Sequence, residues 1–140
     1  MTEQIELSER VPDPAELVEL YDSVGWSAYT RDPARLMASI EGSSFVLVAR
    51  RSDALIGLIR VISDGHTIAY VQDILVRAED QNSGVGSRML RQVLEHYRHV
   101  RQVVLLTDTE EAQRAFYERH GFTEVHDHDP ELRSFVRMER

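Results

Sequence analysis

The chain has 140 residues, 42% of them apolar and 29% charged, which is the size and balance of one soluble globular domain and not of a disordered tail or a disulfide miniprotein. Its 16 cationic residues are all arginine and face 24 acidic ones, a net charge of −8, so a nucleic-acid partner lacks its basic footprint and lysine-dependent chemistry (Walker-type phosphate binding, Schiff bases, pyridoxal phosphate) is excluded. Zero cysteines removes thiol nucleophiles, cysteine-ligated zinc, iron–sulfur clusters and disulfides, and a cytoplasmic location is expected.

Met1 to Arg10 is polar and no apolar run approaches the roughly 20 residues of a membrane helix, so neither a signal peptide nor a membrane span is expected. Asp13-Pro14 reads as an N-cap followed by proline at the first helical position, opening a short helix that ends near Val24-Gly25. Trp26 to Arg31 reads as a loop. Asp32-Pro33 repeats the start signal, and Leu36, Met37 and Ile40 form one stripe until Gly42.

The period then changes. Phe45 to Ala49 and Leu55 to Ile62 are β-branched-rich runs around the turn Arg50 to Asp53, and Ser63-Asp64-Gly65 turns the chain into a third strand, Thr67 to Val76. A polar loop with two glycines, Gly84 and Gly86, leads into a long helix whose face is Val85, Met89, Leu90, Val93, Leu94 and Tyr97. Gln102 to Thr107 is a buried-strand signal, Glu110 to His120 a short helix ending at Gly121, and Phe122 to Val125 and Leu132 to Met138 read as two closing strands. The order predicts one α/β domain over residues 1–140, an α+β three-layer arrangement whose mixed, mostly antiparallel sheet of six to seven strands is flanked by about four helices.

Chemical content concentrates in Gln81-x-x-Gly84-x-Gly86. Backbone N–H groups at a helix start bind phosphate oxygens, and the glycines allow close approach; a plain loop and cap is the alternative. A Rossmann fingerprint fails, because Met89 stands where the third glycine would fall. The same stretch, preceded by the aliphatic triplet Ile74-Leu75-Val76, resembles motif A of the GNAT superfamily of acetyl-CoA-dependent N-acetyltransferases. Ala115-Phe116-Tyr117-Glu118-Arg119-His120-Gly121-Phe122 is similar to a second segment of that family, and the likeness covers about Phe45 to Phe122.

The resemblance implies a GNAT-like fold and acetyl-CoA as co-substrate, with no metal. It implies pyrophosphate contacts from Gln81, Asn82, Ser83, Gly84, Val85, Gly86 and Ser87, with Arg88 adding charge, and pantetheine contacts along Ile74, Leu75 and Val76 on a strand that carries a bulge and splays from its neighbour. Backbone N–H groups near Leu75 and Val76 would stabilise the oxyanion. Phe116 and Glu110 match further cofactor-side positions, although Glu110 stands where many members carry asparagine. Tyr117 is implied as the general acid for the departing thiolate; by the residues alone the default reading is a half-buried tyrosine that satisfies its hydroxyl locally.

An alkyl amine has a pKa near 10 and must lose a proton before attack, through a base or a water chain. Asp73 is the first candidate, Asp108 the second and His66 the third, each also readable as a turn or strand-end residue. Trp26, Tyr29 and Tyr21 either wall an acceptor pocket or plug the core edge, and His126-x-His128 reads as a solvated turn, not a metal site. The expected function is acetyl transfer to a primary amine of a small molecule. A protein or peptide acceptor and a non-catalytic acyl-CoA-binding module are the alternatives, and a homodimer is compatible with the family.

Overall fold

Asp13 opens the first helix of the computed structural model, which describes residues 4–139. Its carboxylate accepts from the Glu16 N–H at 2.9 Å while the Glu16 carboxylate accepts from the Asp13 N–H at 3.1 Å, a reciprocal cap that with Pro14 fixes α1 at Pro14–Ser23. The stretch expected as loop instead forms one helical turn, α2 (Ser27–Thr30), with Trp26 and Tyr29 packed on the Tyr21 ring at centroid distances of 5.8 and 5.1 Å. Aromatic packing here organises a segment whose own helix propensity is low. Asp32 then caps α3 (Pro33–Glu41) by accepting from the Arg35 N–H at 3.1 Å.

The chain comprises two compact units, one ending at Leu106 and one beginning at Thr107. The first holds a five-stranded sheet: β1 (Ile5–Ser8), β2 (Phe45–Arg51), β3 (Ala54–Ser63), β4 (Ile68–Val76) and β5 (Gln102–Leu105), in the spatial order β1-β2-β3-β4-β5. The first four run antiparallel to their neighbours, and β5 lies parallel to β4. A parallel pair needs a crossover, which α4 (Val85–His96) supplies.

One sheet face carries Val48, Leu58 and Leu75 into a core with Leu17, Leu20 and Tyr21 of α1 and Leu36 and Ile40 of α3. On the other face α4 packs against β2, β3 and β4, giving three layers. Close packing there depends on Gly57, where a Cβ would come within 3.1 Å of Met89 Cε and 3.3 Å of the Leu75 carbonyl oxygen. β1 was not expected: its alternation, Ile5 and Leu7 against Glu6 and Ser8, is only four residues long inside a polar start, of which residues 1–3 lie outside the described ones.

The second unit holds α5 (Glu111–Arg119) and one 3-10 turn, Val125–Asp127. Arg114 ties them, reaching Glu118 at 3.2 Å, Glu124 at 3.2 Å and Asp127 at 3.0 Å. The expected strands at Phe122 to Val125 and Leu132 to Met138 do not form among the described residues, so the sheet has five strands and not six to seven, with five α-helices among the described residues where about four were expected. The reason is burial: strand propensity measures fit to a half-buried pleated surface, and Phe135, Val136 and Met138 are 89%, 64% and 76% exposed. Among the described residues no helix is long and apolar enough to cross a membrane.

Candidate active site

β4 outruns its parallel neighbour. Pairing with β5 stops at Val71 against Leu105, while pairing with β3 continues to Val76 against Gly57. At the same point the β3 register shifts, Arg60 facing Asp73 but Val61 facing Val71, so that Gln72 is the extra residue of a bulge. Beyond it, the outer part of β4 has one edge without a strand among the described residues of this unit.

The Arg77 N–H bonds the Ile56 carbonyl on the β3 side at 2.8 Å. By the alternation of an antiparallel ladder, Leu75 turns its backbone groups the same way, and Ile74 and Val76 turn theirs to the open edge. Of the two N–H groups expected at the oxyanion, Val76 therefore faces the open side and Leu75 faces β3. Gln81 Nε2 donates to the Val76 carbonyl at 2.9 Å and ties the loop to the strand end.

The loop that follows is shaped by backbone conformation. Asn82 has φ +62° and Gly84 φ +88°, and the Ser83 hydroxyl donates to the Asp80 carbonyl. Gly84 is the N-cap of α4 and, as a glycine, brings no side chain to cap this helix. Val85 is buried at its first position, followed by Gly86 and Ser87 in the first turn. A helix start with a glycine cap and no capping side chain leaves backbone N–H groups for an anion. The Arg88 guanidinium donates instead to the Ile5 carbonyl at 3.2 Å, linking α4 to β1.

Asp80 holds this loop in place and was missed by the sequence reading. Its carboxylate is 3% exposed and pairs with Arg51 at the end of β2 and with Arg77, whose Nε lies 3.0 Å away. Burial pushes its carboxyl up, but the hydrogen bonds from Arg51 and Arg77 outweigh burial and hold it below the usual range. Asp80→Ala is expected to lower stability by about 2 kcal/mol, less than for a fully buried pair because both arginines reach water, and to weaken binding at the loop. Chemical denaturation checks this, and an unchanged midpoint contradicts it.

Asp73, the first base candidate, is also 3% exposed, and its oxygens accept from Arg60 Nε at 2.6 Å, from the Tyr21 hydroxyl at 2.9 Å and from the Tyr29 hydroxyl at 2.9 Å. That enclosure leaves an amine no direct route to it. Arg60 was also missed, although a cation inside the run Leu55 to Ile62 opposite an aspartate inside the next strand is a readable signal. His66 lies in the β3–β4 turn, its N–H donating to Asp64 at 2.9 Å.

In the second unit, Tyr117 is 7% exposed on α5, its ring edge-on to Phe116 at 5.1 Å and to Phe122 at 5.8 Å. Burial, assisted by the negative charge of Asp108, pushes its phenol up to about 12. Glu110 is the N-cap residue of α5 without a side-chain capping bond, and its N–H donates to Asp108 at 3.0 Å. Phe116 also packs on His120 at 5.0 Å and lies under the Arg119 guanidinium at 5.9 Å.

Burial also raises the Tyr21 phenol. A group whose folded pKa lies above its unfolded value gives stability that is complete below the unfolded value, about 10 for tyrosine, and lost as pH rises through the folded one. The urea midpoint is therefore expected to hold near pH 9 and fall between about pH 10 and 12; a flat profile there contradicts the burial of these phenols.

The profile of the acetyltransferase (GNAT) domain matches residues 42–124. The chain belongs to the GNAT acetyltransferase family. The structure of a GNAT-family acetyltransferase from Streptococcus pneumoniae TIGR4 is similar over 98% of each chain, with 28% identity and a TM-score of 0.82. The N-acetyltransferase ycf52 of Pyropia yezoensis is 27% identical over 111 residues, 76% of this chain and 63% of its own length, so the chain spans just under two thirds of that relative. The PaiA N-acetyltransferase of Thermoplasma acidophilum, solved in complex with coenzyme A, shares the fold at 18% identity and a TM-score of 0.71, over 91% of this chain and 94% of its own.

Proposed function

We propose that the chain is an N-acetyltransferase that moves the acetyl group of acetyl-CoA directly to a primary amine of a small molecule. The observation that carries this is the open edge of β4 next to the glycine-capped α4 start: one supplies unpaired backbone for an amide-bearing arm, the other an anion cradle. Membership of the family points the same way.

In this reading Ile74 and Val76 present backbone groups to the pantetheine amides, and Gln81 to Ser87 surround the pyrophosphate, with Gly84 giving close approach. Acetyl-CoA supplies a thioester whose carbonyl carbon forms the new C–N bond as its C–S bond breaks. The Val76 N–H stabilises charge on that carbonyl oxygen, and Tyr117 gives its proton to the sulfur. The amine arrives as an ammonium and releases one proton through water before it attacks; the second N–H proton, lost as the amide forms, returns through water to the Tyr117 oxygen and restores the phenol. Without cysteine no acetylated thiol intermediate forms on the protein.

The test is amine-dependent release of free thiol from acetyl-CoA. Release that saturates with amine concentration supports direct transfer. Thiol release independent of every small amine, with N-acetylation of a peptide N-terminus or lysine instead, would overturn the small-molecule assignment.

A further inference from the structure

Arg60 and Asp73 are direct cross-strand partners, 7% and 3% exposed, in otherwise apolar stretches of β3 and β4. A buried ion pair is at best neutral for stability against apolar residues of similar volume, and its best-attested use is to fix a register. The register changes right beside this pair. Val61 faces Val71, Arg60 faces Asp73, and Gln72 is left over between them.

Continuing the Val61–Val71 register without a bulge would set Arg60 against Gln72, Ile59 against Asp73 and Gly57 against Leu75. A slip of one residue sends each side chain to the opposite face and each backbone N–H to the opposite edge. Ile74 and Val76 would then turn their N–H groups to β3, and Leu75 would turn its own to the open edge. The triplet Ile74-Leu75-Val76 does not resist that slip, because all three residues are apolar and either face can bury them.

Asp73 does resist it. In the observed register it accepts from Arg60 Nε at 2.6 Å and from the Tyr21 and Tyr29 hydroxyls at 2.9 Å each. In the slipped register its carboxylate would leave all three donors and join Ile59, Val61 and Met89, which are fully buried on the α4 side. Arg60 would stay buried without its counter-charge. That loss is far larger than the single residue a bulge leaves unpaired.

We infer that the Arg60–Asp73 pair selects the bulged register of β4 and thereby aims the Val76 N–H at the open edge. Both are positioning residues, and neither exchanges a proton with substrate. That this N–H meets a thioester rests on the proposed acetyl transfer; the choice of register does not.

Residue-resolved amide hydrogen exchange by NMR reads the register in the free protein, and calorimetry reads acetyl-CoA affinity. In the wild type the Leu75 N–H, bonded to β3, is expected to exchange at least tenfold more slowly than the Val76 N–H. Gln72→Asp/Asp73→Val moves the carboxylate by one residue, so that the regular, unbulged register satisfies Arg60. It is expected to invert that order and to weaken acetyl-CoA binding about tenfold or more, with a cooperative urea transition. Asp73→Asn keeps an accepting oxygen on the same face, and deletion of Gln72 removes the surplus residue but keeps the pair; both are expected to hold the wild-type order. The deletion therefore reads the register even where the double variant does not fold. A wild-type order in the folded double variant, an inverted order in the wild type or the deletion, or an inverted order in the double variant with acetyl-CoA affinity within twofold overturns the inference. If the wild type shows the expected order and does not bind acetyl-CoA, the transferase reading fails instead.

Discussion

Tyr117→Phe is expected to lower kcat by about 10²–10⁴-fold, the usual contribution of a positioned general acid, while leaving acetyl-CoA affinity within about twofold. The substitution removes one hydroxyl and keeps the ring that packs on Phe116 and Phe122, so the fold of α5 has little to lose. Burial and the Asp108 charge push the phenol up to about 12, so it reaches the reaction with its proton in place. A free thiol has a pKa near 8.5, below that of this phenol, so in the proposed reaction the transfer would depend on the charge that gathers on sulfur as the C–S bond breaks. Steady-state kinetics with a calorimetric control of acetyl-CoA binding decides the matter, and an unaffected kcat removes Tyr117 from the mechanism.

Gly84→Val is expected to weaken acetyl-CoA binding on the order of 10–100-fold. Gly84 sits at φ +88°, where a β-branched residue is strained, and a Cβ there would meet nothing within 4 Å. The variant therefore has room to fold, and its damage falls on backbone shape and on the space a phosphate would enter. Gly65→Val is the control: Gly65 also has a positive φ, +79°, and open space, but lies in the β3–β4 turn. It should lose stability to a similar degree and keep acetyl-CoA affinity. Equal affinity losses in both variants would mean that the effect is global strain and not a phosphate cradle.

The elements that position this site were legible where local rules agree with tertiary context. Asp13-Pro14 and Asp32-Pro33 announce helix starts that the structure caps by the expected carboxylate contacts. The strand runs around Ser52 and Gly65 give the meander, and Gly84 falls where α4 begins. The bulge at Gln72 was not legible, because no residue type demands it; it exists in the pairing of β4 with β3 and not in β4 alone. Asp80 escaped for a related reason. In sequence it is one more acid in a polar loop, and only folding brings Arg51 of β2 onto it.

Asp73 was singled out for its position near the aliphatic triplet, yet what surrounds it comes from Tyr21 and Tyr29, 52 and 44 residues away in the chain. The closing strands failed in the opposite direction. Leu132 to Met138 has apolar content suited to a strand, but a strand needs a partner and a face to bury, and Phe135 stays 89% exposed.

Calorimetric titration of the wild-type protein with acetyl-CoA tests the central claim most directly. The open edge of β4 and the Gly84 loop predict saturable one-to-one binding that Gly84→Val weakens and Tyr117→Phe leaves intact. Absence of binding to the wild type, or binding indifferent to Gly84, would contradict the assignment of this strand edge and loop as the acetyl-CoA site.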